Sequence, residues 1–223
     1  MRLIGIPEIE DIALGAALLG AGGGGDPYVG KLTAIGAVKE CGPVKLISVD
    51  EVPDGGFVVP IASVGAPTVL TEKGCGRDEF RRLIDVIERY CGRKACAVMP
   101  IEAGGVNSML PIAAAARLGL PMVDADAMGR AFPEIQMVTF TIGGISSSPM
   151  VYVDEKGNLS IIETITNKWT ETLCRSAVSV SGGSVISAEF MVTADELREF
   201  AVHGIVTRSQ ELGRAIRDIK RCP

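Results

Sequence analysis

Apolar positions change their spacing several times along the 223 residues, and each change marks an element. Over residues 7–20, Ile9, Ile12, Leu14, Ala16 and Leu19 form a mostly apolar helical pattern opened by Pro7. A second helix is predicted over 27–40. Residues 44–49 and 57–63 are apolar runs separated by Pro53-Asp54-Gly55-Gly56, the pattern of buried strands around a turn. Phe80, Leu83, Ile84 and Ile87 return to helical spacing, with charges between them and Gly92 at the end. Residues 95–99 then read as a strand, 107–118 as an Ala- and Leu-rich helix stopped by Gly119, and 121–123 as another strand. Farther on, 136–142, 150–153 and 159–165 read as strands, the last two joined by the hairpin loop 154–158. A helix over 169–181, a glycine turn at Gly182-Gly183 and a closing helix with Leu212, Ala215, Ile216 and Ile219 on one face complete the pattern.

Strand, helix, strand over 95–123 predicts a right-handed βαβ unit with parallel strands. The expected fold is therefore α/β: a mainly parallel or mixed sheet flanked by helices, with a strand-rich continuation. The expected division is an α/β domain over 1–165, with 166–223 closing it or beginning a second domain.

Composition narrows the function classes. The chain is 47% hydrophobic but only 4% aromatic, so its core is built from Ala, Val, Ile, Leu and Met. A net charge of −5 with no basic run argues against nucleic acid. No apolar stretch is long enough to span a membrane, and the first residues do not form a signal peptide. The reading is a soluble, cytoplasmic protein with reduced cysteines, and its apolar content suggests a homo-oligomer. The six cysteines form no C-x-x-C, and His203 is the sole histidine, so a usual zinc set is absent. Cys75, between Gly74 and Gly76, is the cysteine to watch for reactivity.

Three bends gather the groups that can carry chemistry. The first is Gly22-Gly23-Gly24-Gly25-Asp26-Pro27. Residues without Cβ let another backbone or a ligand come close. Asp26 suits a helix N-cap and Pro27 a first helical residue, so the turn feeds a helix start that favours anions. A ligand site and a packed turn are both open readings. The run has no Lys-Ser/Thr and follows a helix, so no nucleotide is expected. Gly23, Gly24, Gly25 and Asp26 are nonetheless candidates for substrate binding. The second bend, 100–108, holds Glu102, Gly104, Gly105 and Asn107. The third, 124–134, opens with Asp124 and Asp126. That pair can share a proton, hold a divalent metal, or simply cap turns. Ligands of parallel sheets collect beyond the carboxyl ends of the strands, so the acid-bearing bends are expected to meet at one pocket.

Leu19-Gly20-Ala21-Gly22-Gly23-Gly24-Gly25-Asp26-Pro27, Pro100-Ile101-Glu102-Ala103-Gly104-Gly105-Val106-Asn107 and Val123-Asp124-Ala125-Asp126-Ala127-Met128-Gly129-Arg130-Ala131-Phe132-Pro133-Glu134 resemble the S-methyl-thiohydantoin desulfurase family. The resemblance covers most of residues 7–165. It implies a hydrolase acting on a cyclic ureide, such as a hydantoin or an S-alkylated thiohydantoin. It also implies association with hydantoinase/oxoprolinase-type proteins, so the alternative is a non-catalytic partner of a hydantoinase-like protein. Members are usually longer, with a largely β second domain, which implies that this chain holds only the entry to it. Under this reading Asp124, Asp126 and Glu102 are candidate bases or metal ligands. Gly23–Gly25 or Gly104–Gly105 would hold an anion, and Asn107 would orient a ring amide.

Overall fold

The computed structural model describes residues 1–74, 76 and 78–218. Cys75, Ile219 and Cys222 lie outside them.

The heart of the fold is a run of four parallel strands: β2 (Val44–Ile47), β5 (Met122–Val123), β4 (Ala95–Pro100) and β3 (Phe57–Gly65). β1 (Arg2–Ile4) adds antiparallel to β2. On the other side β9 (Ser184–Ala188), β7 (Met150–Val153) and β8 (Leu159–Ile162) extend the sheet in antiparallel fashion. β10 (Val192–Thr193) pairs with the start of β3. The fold is thus α/β with a mixed sheet, parallel at its centre, and the strand-rich continuation belongs to the same sheet.

β3 makes both halves possible. Its residues 57–61 pair with β4, and residues 62–65 pair with β9. Phe57, Val59 and Ile61 pack into one core, while Val58, Ala62 and Val64 pack into the other. Burial on both faces explains why this strand reads as a continuous apolar run rather than an alternating one.

Helices α1 (Ile6–Gly20), α2 (Pro27–Cys41), α3 (Pro67–Lys73), α4 (Glu79–Cys91), α5 (Leu110–Leu118), α6 (Thr139–Ile142), α7 (Asn167–Val180), α8 (Ala194–Phe200) and α9 (Ile205–Arg217) surround the sheet. The predicted βαβ unit is present as β4–α5–β5. α9 returns to the start of the chain and lies on α1. A Cβ on Gly15 would sit 1.8 Å from Ser209 O, and one on Gly213 would sit 1.8 Å from Asp11 O. Arg217 and Arg214 then reach the buried Asp11 at 2.7 and 3.2 Å.

One expected element is wrong. Residues 136–142 do not form a strand; the segment turns and ends in the short helix α6. Its backbone bonds form turns, such as Gly143 N to Thr139 O and Ile145 N to Phe140 O, and its one long-range bond among the described residues, Thr139 N to Ala127 O at 2.8 Å, does not extend into a ladder. Val138 and Phe140 are buried while Met137 and Ile142 are exposed, which imitates strand alternation without a neighbouring strand to pair with. β1, α3, β10 and α8 went unread because each is short, and β9 because Ser184 and Ser187 interrupt its apolar run. β6 (Ala125–Asp126) and β11 (Val202–His203), an antiparallel pair, are two residues each, as β10 is.

The two glycine segments meet backbone to backbone. A Cβ on Gly24 would stand 2.5 Å from Gly104 Cα, and one on Gly105 would stand 2.1 Å from Gly25 O. Gly24 also has φ +72°, in the left-handed region. Gly24→Ala is expected to destabilise the fold by about 2–4 kcal/mol through strain and overpacking. Gly36→Ala, on the exposed side of α2 with open space around it, is expected to stabilise by about 0.5–1 kcal/mol. Urea unfolding of both variants checks the pair.

Candidate active site

A cavity of about 180 Å³ opens where β4 ends and β3 continues. Gly24, Gly25, Ser63, Glu102, Asn107, Phe132, Arg175 and Glu189 are among the residues that line it. Two of the predicted bends therefore meet at one cavity, and the third contributes Phe132 and Pro133 rather than its aspartates.

Asn107 organises the floor. Its Oδ1 accepts from Ser63 N at 2.8 Å, and its Nδ2 donates to Ser63 O at 3.4 Å. The side-chain amide thus pairs with β3 as a neighbouring peptide would, just beyond the last β4 partner. Nδ2 also donates to Glu102 Oε1 at 2.6 Å. The expected role of Asn107 in orienting a ring amide finds no free group here, because both ends of the amide are engaged. It positions Glu102 instead. Glu102 Oε2 accepts from Phe132 N at 2.8 Å, which links the second bend to the third. Burial pushes the Glu102 carboxyl above its usual range, while the Asn107 and Phe132 donors pull it back.

The glycines divide into two groups. Gly23 N donates to Gly20 O, Gly104 N to Ser108 Oγ and Gly105 N to Gly23 O, at 2.7, 3.1 and 3.5 Å. Gly104 and Gly105 therefore have no amide left for an anion. Val106 N and Asn107 N both donate to Gly24 O, at 2.6 and 3.2 Å. The N–H groups of Gly24 and Gly25 donate to nothing among the described residues, and both residues line the cavity. Asp26 is the expected N-cap of α2, accepting from Tyr28 N at 2.7 Å; it is exposed and does not line the cavity.

Asp124 and Asp126 serve turns. Asp124 Oδ1 accepts from Val206 N and Thr207 N at 2.9 and 3.0 Å, and Oδ2 accepts from Thr207 Oγ1. It caps α9 from a distant part of the chain, in place of the local cap that Gly204 lacks. Asp126 is fully buried. Its Oδ1 accepts from Met128 N and Gly129 N at 3.1 and 2.7 Å, while Oδ2 has no partner among the described residues. Among the described residues, no three His, Cys, Asp or Glu side chains are grouped to hold a metal.

Sequence reading missed Glu189, Arg175 and Ser63. Glu189 is 2% exposed, and burial raises its carboxyl to about 7. The charges of Glu102 and Glu171 push the same way; Ser187 and Arg175 oppose them. The available signal was an acid closing an apolar stretch, Val185-Ile186-Ser187-Ala188-Glu189. Arg175 stands at the mouth, bonded to Glu171 Oε1 at 2.6 Å and Pro133 O at 3.2 Å.

Burial raises Asp126 from 3.8 to about 7, against the Gly129 and Met128 donors and with help from the Glu102 charge. Between these values the folded state holds more protons than the unfolded one, so stability falls as pH rises. Asp126→Asn should remove its share of that fall, up to about 4 kcal/mol. Urea midpoints at pH 4 and pH 8 measure it: the wild type should lose more stability across the window than the variant does.

Among the described residues no helix is long and apolar enough to cross a membrane. A family model described as S-Me-THD-like, N-terminal domain, matches residues 7–164, and one described as S-Me-THD-like, C-terminal domain, matches 165–222. The fold also matches an X-ray crystal structure of a protein from Chromobacterium violaceum, at 26% identity with a TM-score of 0.88. That match covers 99% of this chain and 63% of the other, so this chain spans less than two thirds of its length. Comparison with curated proteins finds no match. Matched from residue 7 to residue 222 by two consecutive domain models, this chain belongs to the S-Me-THD-like family.

Proposed function

We propose that the protein hydrolyses a cyclic ureide of the S-alkylated thiohydantoin class, at the C2 carbon, in the cavity above β4. The observation that carries this reading is Glu102: a buried carboxylate, gripped by Asn107 and Phe132 N–H, facing a small cavity. At about 180 Å³ the cavity lies below the range that takes drug-sized ligands, and it suits a five-membered ring rather than a nucleotide. Family membership supports the substrate class.

Glu102 acts as the base. A water placed between it and C2 loses a proton to the carboxylate as the C2–O bond forms. Negative charge develops on the ring, and the N–H groups of Gly24 and Gly25 supply donors for it. The pair needs no reorganisation, because those amides are held by the glycine contact rather than by solvent. Collapse restores the C2 carbonyl and breaks the C2–S bond. One water is consumed, and one thiol and one ring amide result.

This reading separates the acids that sequence placed together. Glu102→Gln should lower kcat by about 10²–10⁴-fold with folding intact. Asp124→Asn should leave kcat nearly unchanged and lower stability by about 1 kcal/mol, the usual cost of a weakened cap. Thiol release from S-methyl-thiohydantoin, read by a colorimetric thiol assay, tests both. Full activity in Glu102→Gln, or loss confined to Asp124→Asn, would overturn the assignment. Absence of thiol release by the wild type, with capture of a hydantoinase-like protein, would favour a partner role.

A further inference from the structure

Glu189 stands apart from the other buried acids of this protein. Glu171 Oε2 accepts from Ile135 N at 2.9 Å, Glu79 Oε2 from Gly76 N at 2.8 Å, and Asp154 from three donors. Those carboxyls hold loops and are bonded to do so. Glu189 is 2% exposed, yet its Oε2 has no hydrogen-bond partner among the described residues. Ser187 Oγ, also buried, pulls the Glu189 carboxyl down from close by but makes no hydrogen bond of ordinary geometry. Asp126 shares the orphaned oxygen but does not line the cavity; Glu189 does, together with Glu102. A buried polar atom with no partner is costly unless something else fills the role.

The backbone points the same way. Glu189 follows the last residue of β9, and Phe190 after it has φ +53°. A bulky residue in the left-handed region is a strained choice. Phe190 is fully buried against Phe140, with ring centroids 6.1 Å apart, so packing holds the bend. The strain is stored one residue from Glu189, which lines the cavity and carries a buried oxygen without a partner among the described residues.

We propose that Glu189 is a second catalytic carboxyl of this cavity, the proton donor to the departing sulfur; the proposal rests on the hydrolase reading given above. Two carboxyls in one cavity have contrasting surroundings. Glu102 accepts two hydrogen bonds, which favour its ionised form. Glu189 is buried more deeply with an unpartnered oxygen, which favours its protonated form. That contrast divides base from acid. In the reaction, water adds its oxygen to C2 and Glu102 takes the first proton, which passes to the ring nitrogen. As the tetrahedral intermediate collapses, Glu102 takes the hydroxyl proton and the C2–S electron pair leaves with sulfur. Sulfur receives the Glu189 proton. The water's two protons thus end, in net terms, on nitrogen and sulfur, and solvent returns the proton from Glu102 to Glu189.

The test compares two leaving groups. Glu189→Gln should lower kcat about 10²–10⁴-fold with the S-methyl substrate. With an S-trifluoroethyl substrate, whose thiol departs without a proton, the loss should be less than tenfold. Glu189→Asp should show the same selectivity, and serves if the Gln variant does not fold. An equal loss with both substrates would overturn the assignment of Glu189 and leave the hydrolase reading standing. If the wild type releases thiol from neither, the hydrolase reading falls, and difference infrared spectroscopy decides on Glu189. A protonated carboxyl band that shifts on adding hydantoin, absent in Glu189→Gln, would support a proton-bearing Glu189 against the ligand; no shift would overturn it.

Discussion

Gly24 and Gly104 approach until no Cβ fits between them, and the architecture around the cavity depends on that contact. The turn between α1 and α2 lies against the loop after β4, and Gly24 O accepts from both Val106 N and Asn107 N. The contact fixes where Asn107 begins. Asn107 in turn reaches Ser63 on β3 and Glu102 on its own loop. A side chain at Gly24, Gly104 or Gly105 would separate the segments and carry the amide away from β3. The glycine run is therefore first a packing device, and its remaining donors at Gly24 and Gly25 follow from how it packs.

The sheet supplies the second constraint. β3 outruns β4 and changes partner midway, from a parallel neighbour to an antiparallel one. Beyond the end of β4, one side of β3 would be left without a backbone partner. The Asn107 amide fills one position, and the cavity occupies the rest. The site thus arises where a parallel sheet gives way to an antiparallel one, with Glu102 from the parallel half and Glu189 from the antiparallel half. Low dielectric then raises both carboxyls; Asn107 and Phe132 N–H pull Glu102 back, while Ser187 is the main group opposing the rise at the more deeply buried Glu189.

Much of this was legible in the sequence. The helices opened by Pro7 and Pro27, the βαβ unit whose helix ends at Gly119, and the Asp26 cap all follow from spacing and local chemistry. The glycine bends and Glu102 were legible as candidates. Asp124 was not legible as a cap, because the helix it caps begins about eighty residues later. Asp124 and Asp126 read as a pair only through their separation of two. Their actual partners, α9 and the 128–129 turn, depend on tertiary contacts. Glu189 was hidden for a related reason: an acid after a short strand is usually a solvated turn residue, and only β9's place between β3 and β7 buries it. Segment 136–142 misled because burial alternated along a chain that never pairs.

A crystal structure with hydantoin, the ring product, bound to the protein tests the central claim most directly. The account predicts density for the ring between Glu102, Glu189 and the N–H groups of Gly24 and Gly25, with the Gly24–Gly104 contact closed. A ring bound at Asp124 or elsewhere on the surface, with this cavity empty, would contradict it.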